Sequence, residues 1–261
     1  MPLAASEIEE LKIAKYLLEH PGLAARISDL VGSPIEKGFS RLPEKWALAV
    51  NSAARKSIEA ALEVALRTMN QARPDLSVPS NRWHKLAAGA SGAVGGALGL
   101  SALILELPVS TTIMLRSIAD IARSQGENLE TMEARIQCIH VFALGGRSKN
   151  DDGAEAGYFA ARAAMAKAVS DAAAHLARKG LSDRGAPAIV RLIAQVASRF
   201  SVVVSEKAAA QAIPVVGAIG GAAINTLFID HFQNIGRGHF TIRRLERLHG
   251  PETVRRIYES L

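Results

Sequence analysis

Apolar residues recur at steps of three and four along almost the whole chain, which is the spacing of one face of an α-helix. The region after Pro43 shows this most clearly, and its apolar positions are Trp46, Ala49, Val50, Ala53, Ile58, Leu62, Ala65, Leu66 and Met69. The alanine-dense region 154–178 carries a second stripe, made of Phe159, Ala163, Ala166, Val169, Ala173 and Leu176. No segment alternates apolar and polar residues as a strand would. The pattern therefore predicts an all-α fold.

Proline, glycine and capping residues indicate where these helices begin and end. We expect Pro108 to start a helix, because the first turn needs no amide hydrogen at that position. Asn128 is expected to cap the following helix, and Gly145 with Gly146 to end it. Pro214 should either kink its helix or begin a new one.

Two uncharged segments rich in glycine and alanine, 86–105 and 208–229, are the most informative feature of the chain. Each is long enough to cross a bilayer as a helix, at about 20 residues and about 30 Å. Each also has the small-residue spacing that lets helix backbones touch. The glycines concerned are Gly92, Gly95, Gly96, Gly99, Gly217 and Gly221.

These segments suit the interior of a bundle better than lipid. In segment 86–105, 11 of 20 residues are glycine or alanine, and few are the large aliphatic residues that favour insertion. A glycine costs a helix roughly 0.5–1 kcal/mol relative to alanine, which makes sense where another backbone packs against it. We therefore expect two central helices in mutual contact. Entry into a bilayer, as a hairpin or under some conditions, stays open as the alternative.

Composition and charge fit a soluble chain with an anionic partner. Charged residues make up 21% of the sequence, close to the soluble average, which argues against a polytopic membrane protein. About half of the net charge of +6 lies near the C-terminus, and the arginines there are Arg237, Arg243, Arg244, Arg247, Arg255 and Arg256. They suggest lipid headgroups or nucleic acid as a partner, although a solvated helix face would look the same. Few aromatic residues lie among these arginines, so nucleic acid is the weaker hypothesis for the partner.

The single cysteine, Cys138, excludes an internal disulfide framework. The acidic N-terminus has no apolar core and so does not read as a secretory signal. Both observations point to a cytoplasmic protein.

A few polar residues lie in apolar surroundings and are the candidates for chemistry. Arg116 and Asp120 are four apart and share a helix face, where they could form a buried clamp between helices or a phosphate site. Asp230, His231 and Gln233 follow the second glycine-rich segment, and His239 comes eight residues after His231. The candidate ligand-binding residues are therefore Arg116, Asp120, Asp230, His231, Gln233 and His239.

A metal site at these histidines is conceivable with His140 as a third ligand, but Gly236 and Gly238 should interrupt the helix between His231 and His239. The chain has no HExxH, GxSxG or phosphate-loop motif. We therefore expect neither a metal nor a cofactor, and assign no catalytic residue.

Three stretches carry a resemblance to a known family: LPVSTTIMLRSIADIARSQGENL (107–129), VFALGG (141–146) with the later Tyr158, and IPVVGAIGGAAINTLFIDHFQNIGRGHFTIRRLERLHG (213–250). They resemble the EcsC protein family, over most of residues 45–250. The family is named for a component encoded beside a bacterial ABC exporter. The resemblance implies a helical, membrane-associated protein with no established catalytic mechanism.

Together the sequence patterns and the resemblance predict a single multi-helix bundle with two central glycine- and alanine-rich helices. Residues 1–42 are expected to form a helical extension, and 43–261 the EcsC-like domain. The preferred function is a non-enzymatic protein that associates with anionic lipid or a membrane surface, as an accessory to a bacterial envelope or transporter process on the cytoplasmic side of the inner membrane. The alternative is a hydrolase-like or metal-dependent enzyme that uses a buried Arg/Asp/His cluster.

Overall fold

The computed structural model describes residues 3–19, 22–32, 34–43, 45–68, 100–146, 157–180, 185–213 and 217–261. Within these ranges the chain forms ten helices and no strand, which confirms the prediction of an all-α bundle. The helices are α1 (Ala5–Glu19), α2 (Leu23–Val31), α3 (Glu36–Phe39), α4 (Trp46–Thr68), α5 (Leu100–Ser124), α6 (Met132–Leu144), α7 (Tyr158–Lys179), α8 (Pro187–Gln211), α9 (Gly217–His249) and α10 (Pro251–Ser260).

Two helices organise the bundle. The 33-residue α9 is the spine, and α1, α2, α5, α6, α8 and α10 all pack against it. Helix α6 lies inside, because every residue from 134 to 143 is buried. Helix α4 packs against α5 and α8, while α7 covers α6 and α8. The main core is aliphatic. It also contains a cluster of four aromatic rings where α6, α8 and α9 meet: Phe142, Phe200, Phe228 and Phe232.

Glycines allow the helices to approach one another closely. A Cβ on Gly238 would lie 2.6 Å from Cγ of Leu18 and 2.9 Å from the carbonyl oxygen of Ala14, where α1 crosses α9. A Cβ on Gly146 would lie 2.2 Å from the carbonyl oxygen of Arg199 on α8. The expectation that Gly236 and Gly238 interrupt the helix was wrong, because α9 runs through both and uses Gly238 as a contact point.

Two predicted helix boundaries were also wrong. Pro108 lies inside α5, where the hydroxyls of Thr111 and Thr112 donate to the carbonyls of Leu107 and Pro108 and reinforce the turn. Helix α6 is capped by Thr131, whose hydroxyl accepts from the amide of Ala134. Asn128 lies one turn earlier, in the loop before that cap.

The glycine-rich segments are only partly within the described residues. Gly92, Gly95, Gly96 and Gly99 lie outside them, so their predicted packing stays a prediction. In the second segment α8 ends at Gln211 and α9 begins at Gly217. Pro214 lies outside the described residues, so the expectation for it stays a prediction. Gly221 is buried in α9. The division of the chain at residue 42 also stays a prediction, and α1 packs along α9.

Candidate functional site

The two candidates on α5 do not form the expected clamp. Arg116 is exposed. Asp120 is half-buried and accepts a hydrogen bond from Arg123 on the same helix, at 2.7 Å. Since Arg116 faces outward, the expected buried pair with Asp120 is absent.

The candidates on α9 lie on different sides of the helix and have different partners. Asp230 lies 3.9 Å from the guanidinium of Arg26 on α2. His231 donates from Nε2 to the carbonyl oxygen of Gly145, at 2.8 Å. Burial lowers the pKa of His231 to about 4, so the ring is neutral. The structure therefore does not gather the proposed Arg/Asp/His cluster into one site.

Gln233 has its partner on a third helix. It is fully buried, and its Nε2 donates to the hydroxyl of Ser117 on α5 at 2.8 Å. Its Oε1 is buried without a hydrogen bond. This contact ties the middle of α9 to α5.

His239 belongs to a buried chain of hydrogen bonds that joins three helices. The hydroxyl of Tyr158 lies 2.8 Å from Nδ1 of His239, and Nε2 of His239 lies 3.1 Å from Oε1 of Gln137. The same oxygen lies 3.3 Å from Nδ1 of His140. These residues come from α7, α9 and α6, so the chain fixes the relative position of those helices.

The amide oxygen of Gln137, which lies between the two histidines, defines the tautomers of His140 and His239. An amide oxygen only accepts, so His239 carries its proton on Nε2 and His140 carries its proton on Nδ1. Nδ1 of His239 is then the acceptor for the Tyr158 hydroxyl, and Nε2 of His140 is buried without a partner. Burial lowers the pKa of His140 to about 3 and holds that of His239 well below its usual value. Both rings are neutral at physiological pH.

An ion pair lies at the outer end of this series of hydrogen bonds. Arg162 donates to both carboxylate oxygens of Glu246, at 2.7 and 2.8 Å, and also reaches the hydroxyl oxygen of Tyr158 at 3.4 Å. Burial raises the pKa of Tyr158. The whole arrangement is therefore a neutral, buried network closed by one ion pair, with the chemistry of a structural clamp rather than of an acid–base pair. Sequence reasoning found His239 and His140 but missed Gln137, whose spacing from His140 is i, i+3.

A second buried polar cluster joins α5, α8 and α9, and the sequence analysis missed it entirely. Lys207 is fully buried, and its ammonium donates to Oε1 of Glu106 at 3.1 Å and to Oδ1 of Asn225 at 2.7 Å. The same ammonium lies 4.7 Å from the centre of the Phe228 ring. Burial lowers the pKa of Lys207, and the attraction of Glu106 opposes that shift. The second carboxylate oxygen of Glu106 is buried without a hydrogen bond.

The position of this pair in the sequence is unusual. Glu106 is the first residue after segment 86–105, and it is the only charged residue between Lys85 and Arg116. Lys207 is the last residue before segment 208–229. The fold thus pairs the charge that ends one apolar segment with the charge that precedes the other. A lone charge beside each apolar run was the signal that could have predicted this contact.

The basic end of α9 is largely paired within the molecule. Arg243 donates to Glu127 at 2.8 Å, and Arg247 also pairs with Glu127. Arg244 pairs with Glu10 of α1. Burial raises the pKa of Glu127, but the hydrogen bond from Arg243 and the charges of both arginines outweigh it and leave that pKa below its usual range. These arginines fasten α9 to α1 and to the α5–α6 loop.

The first half of α5 presents an uncharged face to the outside. Leu105 is 79% exposed and Val109 is 54% exposed, and the half-buried Thr112 follows at the same helical spacing. Glu106 is turned inward to Lys207, as described above. The first charged side chain on this outer face is Arg116. Positions 105, 109, 112 and 116 are spaced i, i+4, i+7 and i+11, so they lie on one side of the helix.

Ligand-holding features are sparse in the described part of the chain. Within it, no three His, Cys, Asp or Glu side chains come together as metal ligands would. Two shallow surface hollows lie along α1, the larger with a volume of about 470 Å³, and neither includes a predicted site residue. One described helix, α8, has the length and composition of a membrane span, with mean hydropathy of 1.5. Half of that stretch is buried in the bundle.

Comparison with known proteins gives one family. The sequence model of the EcsC protein family matches residues 5–245, which includes the first helices, the stretches 107–129 and 141–146, and 213–250 up to residue 245. No curated protein and no solved structure gives a significant match.

Proposed function

The chain belongs to the EcsC protein family, and on this premise we propose that it is a non-enzymatic, cytoplasmic protein that binds the anionic surface of a bacterial inner membrane. In this role it serves as an accessory to an envelope or transporter process. The observation that carries the proposal is the uncharged outer face of α5, at Leu105 and Val109.

The chemistry of this face suits the boundary between headgroups and acyl chains. A leucine and a valine that are more than half exposed gain free energy when they leave water, by roughly 1.5–3 kcal/mol each for full burial. Arg116 lies two turns beyond Val109 on the same face, where its guanidinium can pair with a lipid phosphate. Interfacial helices combine apolar side chains at the level between headgroups and acyl chains with basic residues that attract anionic lipid.

The charge distribution supports α5 rather than the C-terminal arginines as the first point of contact. Arg243, Arg244 and Arg247 already pair with carboxylates of the protein, so lipid phosphate would have to compete for them. Arg116 is exposed on the apolar face itself. The net charge of +6 adds long-range attraction to an anionic surface.

Co-sedimentation of untagged protein with vesicles tests the proposal. At low salt the protein should bind vesicles that contain phosphatidylglycerol and bind phosphatidylcholine vesicles less. Leu105→Glu combined with Val109→Glu should weaken binding by roughly tenfold or more, because two apolar contacts are lost and two like charges are added. Leu248→Glu is the matched control, since Leu248 is 60% exposed on another helix. It should bind as the wild type does.

Arg116→Gln tests the headgroup contact separately. Near an anionic surface one basic residue contributes about 1 kcal/mol, so binding should weaken by roughly fivefold at low salt and by less at high salt. A wild-type protein that stays in the supernatant with anionic vesicles at low salt contradicts the proposal. Equal binding by the Leu105/Val109 variant would instead remove α5 as the contact.

A further inference from the structure

We infer that the buried ion pair of Glu106 and Lys207 keeps α5, α8 and α9 packed against one another, so that the protein meets a membrane from outside and does not insert. This inference rests on the proposed function, because it concerns how the same protein binds a bilayer. It goes beyond that function because it names the two residues that prevent insertion.

The first step concerns the small number of charged residues in these segments. From residue 86 to residue 115 the chain has one charged residue, Glu106, and from 208 to 229 it has none. Each run is longer than the roughly 20 residues that a helical span needs. Uncharged residues in place of Glu106 and Lys207 would leave uncharged stretches of 30 residues (86–115) and 23 residues (207–229), and no charge within either would oppose entry into lipid.

The second step concerns what insertion requires of the pair. Lys207 holds two acceptors on two other helices, Glu106 of α5 and Asn225 of α9, and the ring of Phe228 faces its ammonium. Moving either apolar run into lipid separates these partners, leaving the ammonium of Lys207 unpaired at the edge of one run and carrying the carboxylate of Glu106, within the other run, into a medium without water. That is the most unfavourable environment for a charged side chain.

The third step concerns why the pair does not simply serve stability. A buried ion pair adds little to stability relative to apolar residues of similar size, because both charges lose their hydration. Here the compensation is incomplete, since one oxygen of Glu106 has no hydrogen bond. The pair therefore affects whether the helices can insert into a membrane more than it affects the free energy of unfolding.

The test compares wild type with Glu106→Gln/Lys207→Met, which removes both charges and nearly preserves volume. Each protein is incubated with vesicles of phosphatidylglycerol and phosphatidylcholine, washed with alkaline carbonate and floated on a density gradient. Wild type should be released by the wash. The double variant should keep at least tenfold more protein in the floated fraction. Arg162→Gln/Glu246→Gln is the matched control, because it removes an ion pair that does not border an apolar segment, and it should behave as wild type does.

The outcomes separate the two proposals. A wild type that resists carbonate overturns the inference, and this measurement needs no variant. A double variant that circular dichroism shows to be helical and that washes off as wild type does also overturns it. Flotation distinguishes insertion from aggregation, since an aggregate stays at the bottom of the gradient. If wild type binds no vesicles while the double variant floats after the wash, the proposed function fails and the inference on the ion pair stands.

The charge-reversed variant Glu106→Lys/Lys207→Glu provides a further check. It keeps one charge of each sign at the border of the apolar segments, so the wash should release it as it releases wild type. Retention at the level of the uncharged variant would show that sequence change alone, and not charge, alters membrane behaviour, and would overturn the inference.

Discussion

Single buried polar side chains hold this bundle in register. Lys207, Arg135 and His239 are almost fully buried, and each bonds to groups on another helix or loop. Arg135, for example, donates to the backbone carbonyls of Leu66 and Leu129. At such positions the loss of one partner is more harmful than the loss of both, because the remaining group stays buried and unpaired.

Lys207→Met alone should therefore destabilise the protein by about 3–5 kcal/mol, since it leaves the carboxylate of Glu106 buried without its partner. Glu106→Gln added to it should recover most of this loss. Urea unfolding of the two single variants and the double variant measures the coupling between the residues. Additive effects of the two changes would contradict the role of the pair.

Tyr158→Phe should cost about 1–3 kcal/mol of unfolding free energy, because it leaves Nδ1 of His239 buried without its donor. Tyr16 is 60% exposed, so Tyr16→Phe should change stability by no more than about 0.5 kcal/mol. Thermal and urea unfolding of both variants provide the comparison. An equal, small effect in both would mean that the Tyr158 hydroxyl contributes nothing to the network.

At the scale of helices, the contacts depend on where a backbone comes close. Gly236 and Gly238 are two residues apart on α9, yet they have different surroundings. A Cβ on Gly236 would make an ordinary contact, 3.6 Å from Cγ1 of Ile118. A Cβ on Gly238 would collide with Leu18 and with the backbone of Ala14. The same substitution should therefore have opposite effects at the two sites.

Gly236→Ala should stabilise the protein by about 0.5–1 kcal/mol, because alanine is the better helix former and fits without strain. Gly238→Ala should destabilise it by about 1–3 kcal/mol, because α1 must move away from α9. Urea unfolding of the two variants, run side by side, checks the signs. Effects of the same sign would mean that α1 does not pack on Gly238 as described.

The helices that sequence patterns predicted best are those with one buried face. Helix α4 shows an apolar stripe whose members Val50, Ala53 and Leu62 are all buried. Helix α6 shows no such stripe, because it is buried on every side, so its central position could not be deduced from periodicity. The contact of Glu106 with Lys207 joins residues 101 apart, and local spacing carries no information about such a pair.

At the scale of the whole molecule, three buried histidines connect stability to pH. His140, His231 and His239 have pKa values lowered by burial in the folded state, and they return to about 6.5 on unfolding. The unfolded chain therefore binds more protons than the folded one as pH falls below about 6.5. The sign follows directly: stability is greatest above this pH and is lost as the solution becomes acidic.

Unfolding free energy should fall by up to about 4 kcal/mol per pH unit near pH 5, with about one third of that slope from each histidine. His231→Gln keeps a donor for the carbonyl of Gly145 and removes one titrating group, so it should reduce the slope by about a third. Urea unfolding at several pH values from 7.5 to 5 measures this. Glu127 contributes mainly at lower pH, because its pKa lies below its usual range. A slope unchanged by His231→Gln would contradict a neutral buried ring.

The packing of α1 against α9 has a consequence for biosynthesis. Helix α1 leaves the ribosome before the other described helices, and Gly238, which contacts Leu18 and Ala14, is synthesised more than 200 residues after it. The apolar side of α1 stays uncovered until α9 has been synthesised, and α6 likewise stays uncovered until α7, α8 and α9 have been synthesised. Apolar surface therefore remains exposed while more than 200 residues are synthesised, and nascent chains with exposed apolar surface rely on chaperones.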